Sequence, residues 1–589
     1  MDKPRSSGDG SIASPAAGRP AAKSQRLSTG ESIKDTIESI LIAFVLAFVF
    51  RAFVVEAFVI PTGSMAPTLL GAHMRLTCQA CAWQFEVNYS SGSGDGVVPN
   101  TTGRGTVLSM HCPNCGYKVP RQSPDDPAND AHDTPVRYGD RILVLKYLYL
   151  LGDPQRWDVV VFKSPAQQSL YDFTQNYIKR LVGLPGETVM LLDGDVYTLK
   201  SDDPTQWQVQ TKPRHVQNAL WRIVYDNDHH PRQVPGLQFV QPWRAKDPHA
   251  GWTLPAALPD ARTFRYDNLA GEGTICFDPS ANPDARKLTD ILAYNETSSV
   301  APQGDTYHIE GYIQDRIPHW NVSDVMVRFV YQRRAGDGPL AVSLGKLDDT
   351  FTAEFSPRSV RLLKNGQEIR QAALPDGGRG HLDVQFMNVD YHVSLYVNDR
   401  LLIGTTPQQY APNVPRLLEM HAERQRIARR TNSDPRMVRQ VFPPPTIEIT
   451  ASRQQATIRH LSLWRDIYYT PVSQDPRLSR ADYSHEIQWG RPGRPGEVPG
   501  PITLASRARG AAEDEYFVLG DNSILSGDAR TWVEPVRLEN EDLDVQAGRV
   551  PGRFMIGKAF FVYWPAGYRP FSQTMPGIIP NFGDLRFIH

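Results

Sequence analysis

Ser64 stands in the run Ile60-Pro61-Thr62-Gly63-Ser64-Met65-Ala66-Pro67-Thr68-Leu69. The two prolines restrict their own backbone and that of the residue before each, and Gly63 lets the chain approach a substrate closely. A hydroxyl held this way is a candidate nucleophile, and it needs a base within hydrogen-bond reach. Lys179 is the candidate base, in Asn176-Tyr177-Ile178-Lys179-Arg180-Leu181-Val182-Gly183. It interrupts an otherwise apolar strand, and an apolar setting disfavours an ammonium ion, which suits a lysine to base chemistry. Arg180 beside it points to the opposite face, so one of the two must face inward if the strand is covered on both sides. A third polar stretch is Gly520-Asp521-Asn522-Ser523-Ile524-Leu525-Ser526-Gly527-Asp528-Ala529-Arg530. There Ser526 can hydrogen-bond a lysine, and Asp528 and Arg530 can form an ion pair that fixes the loop. Singly, these are also what a turn at a membrane surface, a solvent-facing lysine and a polar loop look like.

Four of the five cysteines form two Cys-x-x-Cys knuckles, Cys78/Cys81 and Cys112/Cys115. Two such knuckles can give four thiolates to a tetrahedral Zn²⁺, as in a zinc ribbon; a pair of local disulfides is the alternative in an oxidising compartment. Four Cys ligands leave no open position, so any zinc would be structural. His73 and His111 read as surface residues.

The elements that position these groups begin with residues 1–30, poor in large apolar residues and expected to be a disordered cytoplasmic tail. Residues 31–57 read as a transmembrane helix, since Ile40 to Phe50 contains no polar residue and the apolar window spans about 28 Å of helix. Lys3, Arg5, Arg19, Lys23, Arg26 and Lys34 precede it, and only Arg75 falls in the twenty residues after Val55. That asymmetry puts the N-terminus in the cytoplasm and the rest outside. The long polar leader and the missing small-residue cleavage site weaken the alternative of a cleaved signal.

At 589 residues the chain exceeds one core, and the frequency of proline (48) and glycine (44) favours strands and turns. Its net charge of −1 gives no pull toward nucleic acid, and no such partner is expected. The expected fold is mainly β. Residues 58–75, 134–198 and 513–589 form one antiparallel domain, 76–120 a ribbon-like insertion, 199–300 a β-rich insert, 301–475 a jelly-roll-like β-sandwich, and 476–512 a Pro/Gly/Arg-rich linker. Alternation at Val325/Val327/Phe329, Phe351/Ala353/Phe355 and Val393/Leu395/Val397, with a hairpin signal at Asn365-Gly366, supports the sandwich. Leu417 to Arg430 reads as a basic helix. The stretches Val384 to Val397 and Leu461 to Asp466 resemble concanavalin-like modules. Such a module would take a glycan or protein ligand, or serve as a spacer.

An apolar anchor, then Pro-Thr-Gly-Ser64-Met-Ala-Pro-Thr, Tyr-Gly-Asp-Arg141, Tyr-Ile-Lys179-Arg-Leu-Val-Gly-Leu-Pro-Gly-Glu and Gly-Asp-Asn-x3-Ser526-x-Asp528-x-Arg530, in this order, resembles the bacterial type I signal peptidases. The motifs cover about a third of the chain and leave out the cysteine segment and the large insert. The resemblance implies a Ser–Lys serine endopeptidase in the bacterial inner membrane, single-pass, with an extracytoplasmic catalytic domain facing the lipid and secreted preproteins as substrates. It implies Ser64 as nucleophile, Lys179 as general base, Thr62 as a hydroxyl beside the oxyanion, Ser526 orienting Lys179, and Asp528 and Arg530 in support. No cofactor is implied for catalysis, only structural zinc at the cysteines. Thr62 stands where serine is commoner, and Ser523 and Ala529 replace residues often charged or hydroxylated. The competing reading is a membrane-tethered binding protein on a peptidase scaffold, with the β insert as its ligand site.

Overall fold

A computed structural model describes residues 29–88, 106–107, 110–119, 137–165, 175–200, 203, 206–234, 237–255, 262–282, 288–295, 298–303, 306–311, 319–378, 380–470, 501–532, 545–565 and 581–589. Residues 1–28 of the expected tail and residues 476–500 of the expected linker lie outside them. Two units are distinguished, Met1–Val54 and Val55–His589.

The first unit contains the helix Thr29–Phe53. Its Lys34–Phe53 portion, with a mean hydropathy of 2.0, is long and apolar enough to cross a membrane. The helix ends sooner than the expected residue 57. Val55–Val59 is a strand paired with Arg141–Leu145, because here the chain finds a sheet partner and its β-branched residues fit a pleated surface.

In the second unit, an eight-stranded sheet runs in the order Val55–Val59, Arg141–Leu145, Met555–Trp564, Val159–Lys163, Asn176–Gly183, Glu515–Leu519, Val550–Pro551, with Arg586–Phe587 added on Met555–Trp564. All its pairings are antiparallel. Two apolar clusters build on it. One holds Ile60, Met65, Leu69, Ile142, Val144, Val161 and Val562; the other holds Val160, Phe162, Leu181, Val182, Phe517 and Leu519. Strands with continuous apolar runs, such as Val159–Lys163, are the ones buried on both faces.

Residues 199–300 and 301–475, expected to be separate, share one sheet. The long strand Ile447–Arg465 pairs on one side with Thr263–Phe277 and Arg222–Asp226, and on the other with Val325–Gly336 and Leu340–Lys346. Irregular spacing of apolar residues before residue 300 hides this, since bulges interrupt the Thr263–Phe277 pairing. The last part of the expected linker is also structured, with Ile502–Thr503 adding to Thr188–Leu192. The basic helix spans Val414–Thr431, N-capped by Asn413 and closed by Asn432 in the left-handed region.

Candidate active site

Ser64 lies in a single 3-10 turn, Gly63–Met65. The loop that carries it is gripped from several sides. Ile60 N–H donates to Asp140 O at 2.9 Å, Asp140 N–H to Leu70 O at 2.9 Å, and Leu70 N–H to Asp140 Oδ2 at 3.0 Å. A Cβ on Gly139 would stand 1.8 Å from Ile60 O, so only glycine allows this approach. Arg586 adds a bond to Thr68 O at 3.0 Å and an ion pair with Asp140 at 2.7 Å.

Lys179 comes from the strand Asn176–Gly183, and its Nζ lies 2.9 Å from Ser64 Oγ. Both residues are buried, Ser64 with 5% and Lys179 with 4% of its surface exposed. The ammonium form donates to Ser64 Oγ; the neutral amine would accept the serine proton along the same line. Nζ also donates to Ile178 O at 3.0 Å and sits 5.5 Å from the Tyr177 ring centroid.

Thr62 precedes the turn, partly exposed, and its side chain makes no cap bond. Ser526 is fully buried, and its Oγ has no hydrogen-bond partner among the described residues. The expected bond from Ser526 to Lys179 is therefore not made in this conformation. Ser526 packs against Gly520, where a Cβ would meet its Oγ at 2.1 Å and Ser64 O at 2.4 Å. Asp528 and Arg530 form the expected pair at 2.6 Å, fully buried. Asp528 Oδ2 accepts from Gly520 N–H at 2.9 Å, and Arg530 Nη1 reaches Thr470 O at 2.6 Å and Ser523 Oγ at 2.9 Å.

The strand buries Arg180 as well as Lys179. Arg180 forms a bidentate pair with Asp521, 2.7 Å in each arm, and donates to Trp157 O at 2.8 Å and His589 O at 2.9 Å. Asp521 also accepts from Thr68 Oγ1 at 2.5 Å. Asn522 N–H donates to Ser64 O at 3.0 Å, and its Nδ2 donates to Gly63 O at 3.0 Å. Sequence reasoning did not assign Arg180, Asp521 or Asn522; the signal was a charge pair and an amide inside two of the very motifs that carry Lys179 and Ser526.

Cys78, Cys81, Cys112 and Cys115 are buried free thiols whose four Sγ atoms lie within 4.8 Å of one another. The Sγ separations of Cys78–Cys115 and Cys81–Cys112 are 3.7 and 3.5 Å. A zinc tetrahedron with ~2.3 Å bonds has edges of about 3.8 Å, so the donor set fits the ion. Burial raises the Cys112 thiol well above its usual range, whereas bonds from Cys112 and Cys115 lower Cys78. Four thiolates in so dry a pocket need a cation beside them. His73, expected at the surface, is fully buried next to this unit, with Nδ1 donating to Gly71 O at 2.8 Å.

Residues 33–114 and 125–233 match the family model described as signal peptidase, peptidase S26. The match includes Ser64, Lys179 and three of the four cysteines, Cys78, Cys81 and Cys112. Among curated proteins, signal peptidase I of Rickettsia typhi is 25% identical over 29% of this chain and 44% of its own length. That of Pseudomonas aeruginosa is 32% identical over 24% of this chain and 30% of its own. The chain thus spans less than half the length of these relatives. Among solved structures, the carbohydrate binding module CBM66 from Bacillus subtilis aligns with 38% of this chain and 94% of that one at 12% identity. Its TM-score of 0.20 is too low to carry an argument.

Proposed function

On the premise that this chain resembles the bacterial type I signal peptidases and carries their peptidase S26 region, we propose that it is a membrane-anchored serine endopeptidase that removes signal peptides from exported preproteins. The observation that carries the reading is the 2.9 Å contact between Lys179 Nζ and Ser64 Oγ, both buried.

In this reading the neutral Lys179 amine takes the Ser64 proton as Oγ attacks the scissile carbonyl. The oxyanion that forms is held by the Ser64 N–H, with the Thr62 hydroxyl beside it. Collapse of the tetrahedral species breaks the C–N bond. Lys179 returns its proton to the leaving amine, and the signal peptide stays esterified to Ser64. A water, deprotonated by Lys179, then attacks the ester, and Ser64 recovers its proton. Ser526 would act by packing under the Gly520 turn and by bonding Lys179 once substrate has closed the site. Asp528 and Arg530 hold the loop from which Ser526 projects. No step requires a metal; zinc at Cys78, Cys81, Cys112 and Cys115 would hold the ribbon together. The Thr29–Phe53 helix would anchor the chain with its N-terminus in the cytoplasm and the dyad on the outer side.

The binding-scaffold alternative is not favoured, because the nucleophile and base stand in contact and neither is replaced. The test is cleavage of a model preprotein by detergent-solubilised wild type, Ser64→Ala and Lys179→Ala. Wild type is expected to cut after a small-x-small sequence, and both variants to be silent. A folded wild type inert on several preproteins would overturn the assignment.

A further inference from the structure

The Ser64 loop is completed by a part of the chain that lies within the large insert. The turn Ala293–Asn295 brings Asn295, 1% exposed, against Asn522. The two side-chain amides pair reciprocally, each Nδ2 donating to the other's Oδ1 at 2.7 Å. A primary amide has two N–H donors, and Asn522 spends its second on Gly63 O at 3.0 Å. Turned over, Asn522 would set its own oxygen against that carbonyl, and Asn295 makes the turned-over form lose its partner too. Tyr294, next in the same turn, covers the other side of the loop. A Cβ on Gly63 would stand 2.4 Å from its ring, and Tyr294 and Leu292 pack with Ala66 and Leu70.

Gly63 O and Ser64 N–H belong to one planar, trans peptide unit. The carbonyl is held by Ala66 N–H inside the turn at 3.0 Å and by Asn522 from outside it, and what pins it also aims the N–H in the opposite direction. We propose that Asn295 is a positioning residue for Ser64: through Asn522 and Gly63 O it sets the direction of the Ser64 N–H, and so makes the insert part of the active centre. The inference rests on the Ser–Lys peptidase reading, in which that N–H binds the oxyanion. A misaimed donor weakens the transition state more than the bound substrate, so its loss is felt in kcat. Losing a whole oxyanion donor costs roughly 10²–10³ in kcat; a donor still present but poorly aimed loses less, on the order of 10-fold.

The test uses the full chain in detergent, with a preprotein substrate and rates expressed per active site by titration of Ser64. Asn295→Ala is expected to lower kcat about 10-fold with KM within about 2-fold. Because Asn295 acts through Asn522, Asn295→Ala/Asn522→Ala should be no slower than Asn522→Ala alone. Affinity for a peptide aldehyde, whose hemiacetal on Ser64 places an oxygen in the same position, should fall in parallel with kcat. Asn295→Asp is nearly isosteric and carries the test if the alanine variant fails to fold. Its deficit relative to wild type should shrink as pH falls, since a protonated carboxyl donates where the amide did. Wild-type kcat per site in both variants, additive costs, or a loss confined to KM would overturn the proposal. Undiminished cleavage by Ser64→Ala would instead overturn the reading beneath it.

Discussion

Arg180 and Asp521 hold two opposite charges where neither could remain alone. Taking either partner away would leave a buried charge, at a cost of roughly 3–5 kcal/mol, and that dependence ties the Lys179 strand to the Gly520-Asp521-Asn522 turn. His73 is the single-residue case in which pH is the lever. Burial, the largest influence, lowers its pKa from 6.5 to about 4. The unfolded chain takes up a proton near pH 6.5 that the folded chain refuses until about pH 4. Stability from this group is therefore whole above pH 6.5 and falls as pH drops toward 4. Refusing that proton costs the folded chain on the order of 3 kcal/mol. Urea unfolding of wild type and His73→Gln at pH 7.5 and 4.5 should show a smaller pH loss in the variant, most of that difference having gone; equal losses would refute it. Ser64 and Lys179 are legible in the sequence because each breaks its surroundings, a serine in a proline-bounded turn and a lysine in an apolar strand. Asn295 is not legible, since an asparagine followed by Glu296 in a polar stretch carries no local sign of the amide it meets across the fold.

The cysteine unit shows how one element depends on another. Strands His73–Thr77 and Gln84–Asn88 form its first hairpin, and residues from the insert clasp it. Asn114 Oδ1 accepts from Asp226 N–H at 2.8 Å, and its Nδ2 reaches His229 O at 3.0 Å. Arg232 N–H donates to Ala80 O at 2.9 Å, and Trp83 meets His229 edge to face at 4.9 Å. The knuckle spacing makes the grouping of the four cysteines legible; the clasp is not, because its hydrogen bonds are to backbone groups, which every residue has. If the four sulfurs carry zinc, metal analysis of reduced protein never exposed to chelator should find about one ion per chain, and none would refute the site. Chelation should then open residues 73–119 to proteolysis, because four buried thiolates lose their counter-ion together. Labelling of Ser64 by an active-site reagent should persist, since the dyad is bonded through other strands. The same reasoning explains why alternation marks the strands around Val325 and Val393 as half-buried while hiding that strands before residue 300 belong to the same sheet. Alternation reports a buried face, whereas the identity of the neighbouring strand is set by contacts distant in sequence.

At the scale of the whole molecule, the large insert leaves and rejoins the rest of the chain at one place. Leu199 and Thr503 both pair with Thr188, one on each side, so they are about two strand spacings, ~10 Å, apart. Closing so long a loop costs little more entropy than closing a short one, which is how the insertion is tolerated. Yet the insert is not merely tethered there. Val216, Leu220, Ile467 and Tyr469 share the apolar cluster of Val160, Leu181 and Phe517. Lys346, at the end of the strand Leu340–Lys346, is buried between Asp324 and Asp195, the latter on the strand that precedes the insert. Thr470 receives Arg530. Replacing residues 201–500 with a flexible linker of about six residues would bridge the gap easily, since such a linker spans roughly 12–15 Å. The shortened chain would nevertheless lose one wall of that apolar cluster, Asn295 and the Thr470 acceptors of Arg530. It is expected to melt at a lower temperature than wild type and to cleave a preprotein at least about 10-fold more slowly, as misaiming the Ser64 N–H alone would cost. Wild-type melting and wild-type cleavage by the shortened chain would show that the insert is an appendage, and that the contacts at Gly63 and Arg530 are dispensable to the dyad.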